Sequence, residues 1–123
     1  WDAAIKVACL VNVLMDIPLK PQAVKRTGIR EITPEKIAEA AEAGERWKLV
    51  CTARQLNGQL LEASVAPQRV GPDSPLYSIG GTSSYAQFET DVLPGLGIVE
   101  SNPSPETTAF GLLSDLINVM RNV

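Results

Sequence analysis

Asp2 and Lys6 stand one helical turn apart in Trp1-Asp-Ala-Ala-Ile-Lys-Val-Ala-Cys-Leu-Val-Asn-Val-Leu-Met15. An acid four residues before a lysine is the favoured orientation for a helix ion pair, which by itself contributes roughly 0.2–0.5 kcal/mol. Their surroundings make the two more than a routine surface pair. A helix this apolar is normally buried over most of its circumference. At about 100° per residue, its polar residues Asp2, Lys6, Asn12 and Asp16 all fall within about a third of the helical wheel. A lysine is rarely buried unless paired, and Asp2 is placed to pair with it. The stripe is either a thin wet edge or the lining of a polar pocket.

Other chemistry is excluded or weakly signalled. The chain has no histidine, which removes Ser-His-Asp and Cys-His nucleophile systems, histidine metal sites and a histidine pH switch. Thr82, Ser83, Ser84 and Thr90 have no base to activate them. Gly80-Gly81-Thr82 is too short for a phosphate loop. Glu89 and Asp91 alternate along a strand and read as a solvated face before a paired acid site. Cys9 and Cys51 form no C-x-x-C motif, and one falls in a helix while the other falls in a strand. Both are expected to be small core residues of a reduced, cytoplasmic protein. No metal site is expected.

The elements that must position the pair follow from periodicity and punctuation. The 123 residues, 45% hydrophobic and 20% charged with a net charge of −3, suit one globular domain and provide no basic footprint for nucleic acid or an anionic membrane. No apolar run is long enough to span a bilayer. The chain starts at a tryptophan inside a helical pattern and reads as a piece of something longer. The first helix is predicted from Asp2 to Met15, stopping before Ile17-Pro18. Thr33-Pro34-Glu35 opens a second helix that Gly44 ends. Strands Trp47–Leu56 and Gln59–Val65 flank Asn57-Gly58, with a three-residue loop, Leu56 to Gly58, expected to set Ala53 opposite Leu61. Two more strands, near Ser84–Thr90 and Leu96–Glu100, precede a last helix over 105–121. Ser104-Pro105-Glu106 opens that helix, and close packing is expected to explain its Gly111. This order predicts an α+β fold: a mixed or antiparallel β-sheet with helices packed on one face.

Taken together, these segments resemble the catalytic, substrate-binding and dimerisation domain of homoserine dehydrogenase. Asp2-Ala-Ala-Ile-Lys6 is similar to the family's Asp-x-x-x-Lys at the start of a long apolar helix. Gly28-Ile29-Arg-Glu-Ile32-Thr-Pro-Glu-Lys-Ile37 resembles its Gly-Ile connector, and Arg46-Trp47-Lys48-Leu49-Val50 its strand start after a basic residue. Gly81-Thr82-Ser83 leading to Phe88-Glu89-Thr90-Asp91 looks like its later strand region. Thr108-Ala109-Phe-Gly-Leu-Leu-Ser-Asp115 is similar to its closing helix.

The resemblance implies Lys6 as the substrate-contacting lysine, polarising an aldehyde oxygen, and Asp2 as the acid that keeps it charged and oriented. It implies a small-molecule substrate (homoserine or aspartate semialdehyde), NAD(P), a homodimer, and an upstream dinucleotide-binding domain against which the 105–121 helix packs. With that half absent from residues 1–123, the fragment alone is expected to bind no cofactor and to be inactive. The family's glycine-rich turn before the last helix, close to the nucleotide, is replaced by Ser101-Asn-Pro-Ser-Pro105, which makes Ser104 the residue nearest that cofactor contact. The competing reading is a non-catalytic dimerisation or small-ligand-binding module on the same fold.

Overall fold

The computed structural model describes residues 1–121, in two compact units that divide after Tyr77. The first begins with helix α1, Asp2–Leu14. Asp2 in its first turn suits the positive end of the helix. Met15 is still right-handed, and Asp16 then turns to a φ of 53°, so the chain leaves the helix before Ile17-Pro18 constrains it. Asn12 fastens this exit: its amide nitrogen donates to the Ala8 carbonyl at 2.6 Å and the Leu19 carbonyl at 2.8 Å, and its oxygen accepts from the Leu19 N–H at 3.3 Å. Sequence pattern put Asn12 in the polar stripe; its task is to close a local loop.

Helix α2, Pro34–Glu42, starts as predicted, with the Thr33 hydroxyl accepting the Lys36 N–H at 3.4 Å. It ends on left-handed Gly44, where the Gly44 and Glu45 amides donate back to Ala41 and Ala40. The strands of this unit are β1 (Lys25–Arg26), β2 (Arg46–Leu56) and β3 (Gln59–Val70), ordered β1-β3-β2. β1 runs parallel to β3, and β2 antiparallel, so the sheet is mixed. The two-residue β1 carries no periodicity of its own and was not legible in sequence.

The hairpin reaches the expected alternation by another route. Asn57 and Gly58 adopt φ of 50° and 75° and form a two-residue turn, with Leu56 opposite Gln59. A register shift then leaves Leu61 as an extra residue, and Ala53 faces Ala63, not Leu61. One bulge therefore does what the longer loop was expected to do. Leu49, Cys51 and Ala53 share a face with Ala63, Val65 and Pro67. α1 lies on that face, where Ala4, Val7, Ala8 and Val11 pack with Val24 and Val65 to make the core. α2 packs on β2 through the Trp47 indole, which donates to the Lys36 carbonyl at 3.1 Å. Arg69 holds the end of β3 to α2 by pairing with Glu39 at 2.8 Å and Glu45 at 2.5 Å.

Cys9 and Cys51 are not core residues: both are free and exposed. Cys9 lies on the side of α1 that turns away from the sheet, and the helix covers Cys51 incompletely. The second unit holds β4 (Ser84–Phe88) paired antiparallel with β5 (Leu96–Glu100) in a separate two-stranded sheet, then α3 (Pro105–Arg121). β4 stops two residues short of Thr90, because a Thr90–Leu93 turn has begun. No described helix is long and apolar enough to cross a membrane.

Candidate functional site

Asp2 and Lys6 meet as predicted. The Lys6 Nζ lies 2.8 Å from the Asp2 Oδ2. Both residues look outward, because Ala4, Val7, Ala8 and Val11 occupy the sheet-facing side of α1. Their side chains are 71% and 83% exposed for Lys6 and Asp2 respectively, so the stripe is not the wall of an enclosed pocket in this chain. It is not a thin wet edge either, since Ile5, Leu10, Val13 and Leu14 are also exposed around it. The pair thus sits on an open, largely apolar helix face.

The hydrogen bond from Lys6 to Asp2, and then the charge attraction between them, raise the lysine above its ordinary range. Lys6 is therefore a fixed cation at neutral pH, able to donate to an oxygen but not to act as a base. Cys51 is the neighbour that sequence reasoning missed. Burial around its thiol pushes it upward; Lys6 pulls it down and Asp2 pushes it up again. That thiol stays protonated, and a weak donor beside a cation is not a nucleophile. Strand alternation, which puts Cys51 in one row with Ala53 beneath α1, was the signal that could have found it. At the start of α1, the Arg26 guanidinium stacks 3.6 Å from the Trp1 ring centroid and ties the helix to β1.

Ser104 belongs to the second unit. Its hydroxyl does not cap α3 as Thr33 caps α2; it donates to the Glu106 Oε2 at 2.5 Å. Thr107 takes the capping role, its Oγ1 accepting the Ser104 N–H at 3.1 Å and donating to the Ser104 carbonyl at 2.7 Å. An NAD(P) phosphate needs unspent backbone donors at a helix N-terminus or glycine turn. Each described α-helix instead carries an acid in its first turn: Asp2, Glu35 and Glu106. Those carboxylates repel a phosphate at each of the three helix starts. Among the described residues, no group of three or more metal-binding side chains converges. A shallow, mostly apolar groove of about 200 Å³ is lined by Ile29, Ile32, Ile37, Trp47, Lys48, Leu49 and Pro67.

Known proteins resemble this chain over nearly its whole length. The family model described as homoserine dehydrogenase matches residues 1–117. The NAD(+)-dependent homoserine dehydrogenase of Pseudomonas canavaninivorans is 31% identical over 118 residues, covering 96% of this chain and 34% of that protein. The homoserine dehydrogenase of Methanocaldococcus jannaschii is 36% identical, over 96% of this chain and 33% of its own length. Among solved structures, a Thiobacillus denitrificans homoserine dehydrogenase superposes with a TM-score of 0.84 at 26% identity, covering 98% of this chain and 28% of that one. The S. aureus homoserine dehydrogenase gives 0.82 at 26% identity, over 97% of this chain and 30% of its own. The chain spans about a third of the length of the curated relatives it matches.

Proposed function

Because this chain belongs to the homoserine dehydrogenase family, we propose that it is the substrate-binding catalytic domain of a longer oxidoreductase. That enzyme would interconvert L-homoserine and L-aspartate 4-semialdehyde with NAD(P), as a cytoplasmic homodimer serving amino-acid biosynthesis. The observation that carries the reading is the Asp2–Lys6 pair, intact at 2.8 Å on the outer face of α1. Lys6 donates to the substrate oxygen and steadies the negative charge that develops there. Asp2 orients Lys6 and keeps it protonated. Their open position suits a substrate that is enclosed only when another part of the longer protein covers this face, since excluding water strengthens the ammonium–oxygen interaction.

That same openness favours a second reading, a dimerisation or small-ligand-binding module that kept the fold without the chemistry. NAD(P)-linked homoserine oxidation by the longer protein separates the two. Activity is expected, with kcat for Lys6→Ala at least about 100-fold lower. A folded, cofactor-binding protein without homoserine activity would leave the second reading standing.

A further inference from the structure

We propose that residues 29–45 form a latched strap: the Ile29–Ile32 turn and α2 lift from the sheet as a unit, and the Arg69 fork is the latch. Apolar packing does little to hold this segment. Among the described residues of α2, only Ala40 is buried. Between strap and sheet lies the open groove, where Ile29, Ile37 and Leu49 stay 63%, 54% and 49% exposed. Close packing would take that surface out of water, and the groove leaves it wet. The turn and the helix belong together: the Ile32 N–H donates to the Ile29 carbonyl at 3.0 Å, and the Lys36 ammonium donates to the Glu31 carbonyl at 2.7 Å.

Polar contacts tie the strap down instead, and they spring from one cross-strand pair, Trp47 opposite Arg69. The Trp47 indole donates to the Lys36 carbonyl at 3.1 Å. The Arg69 guanidinium spans Glu39 on α2 and Glu45 just past it. Exposed ties of this kind exchange with water at little cost, so the segment they hold opens more often than a packed core. The core of Ala4, Val7, Ala8, Val11, Val24 and Val65 lies under α1 and stays closed when the strap lifts. Gly28, where an added Cβ would meet nothing within 4 Å, gives the entering end room to swing. Lifting bares Leu49 and Pro67, the pair next to Cys51 and Val65 on the sheet face that carries α1. This inference rests on the local geometry alone and stands whichever reading of the function holds.

Hydrogen exchange of the Trp47 indole N–H, measured beside the β2–β3 ladder amides of the 123-residue protein in rising urea, tests it. The indole should be protected at least about tenfold less than the ladder, through an opening that low urea hardly changes. The ladder amides should follow the urea dependence of global unfolding. Glu39→Gln with Glu45→Gln removes both arms of the latch and leaves the Trp47–Arg69 pair in place. It should lower indole protection about tenfold further and keep the ladder within about twofold. Glu39→Gln alone, at a side chain 69% exposed, should act in the same direction by about threefold and gives the answer if the double variant does not fold. Equal protection and equal urea slopes for indole and ladder would overturn the proposal. So would indole protection unchanged in the folded variants, because Arg69 would then latch nothing.

Discussion

Lys6 keeps its charge because its partner is one turn away on the same rigid helix, so little side-chain freedom is lost in forming the pair. The folded pKa is raised, so its contribution to stability is fully present below the ordinary lysine value. It disappears only as pH rises through the folded value. Exposure keeps that contribution small. A titration of the lysine side-chain carbons by NMR should show a later midpoint for Lys6 in the native protein than in Asp2→Asn. Coincident midpoints would mean that the pair does not persist in solution. Residue types and their four-residue spacing were enough to pick out this pair. The role of Asn12 was not legible, because its partner Leu19 lies past the helix end, in a stretch without periodicity.

At the scale of elements, α3 is the least committed part of the chain. It carries a broad apolar face, yet no described residue of it is buried. A Cβ built at Gly111 meets nothing within 4 Å, so the close packing expected of this glycine is absent. Gly111→Ala should therefore stabilise the 123-residue chain by about 0.5–1 kcal/mol, by removing glycine's backbone freedom from a helix interior. A higher melting temperature is the expected reading, and a fall would reveal a neighbour that this chain packs against that glycine. Caps and turns were the elements best read from sequence. Thr33-Pro34-Glu35, Gly44 and Asn57-Gly58 all act where their local chemistry predicts. The bulge at Leu61 was not readable, because it settles a conflict between a turn's preferred length and the parity of two rows, and that conflict exists only once the strands pair.

For the whole molecule, Leu112, Leu116 and Met120 of α3 remain 70%, 57% and 70% exposed. An apolar surface of this kind marks an interaction face. If the remainder of a longer enzyme covers it, Leu112→Ser with Leu116→Ser should change the stability of the 123-residue chain by no more than about 0.5 kcal/mol. The longer protein should lose about 2–4 kcal/mol in denaturant unfolding. Equal small losses in both would show that α3 is uncovered there too. Sequence alone determined what depends on neighbours along the chain: the α+β class, the Thr33 cap of α2 and the Asp2–Lys6 pair, since helix geometry brings i and i+4 together without outside help. Tertiary structure alone decided what depends on distant partners. It laid β1 beside β3, placed Cys51 beneath α1, left both cysteines exposed and turned the ion pair outward. Which side of an apolar helix is buried is set by the surface it meets, and no local pattern contains that surface.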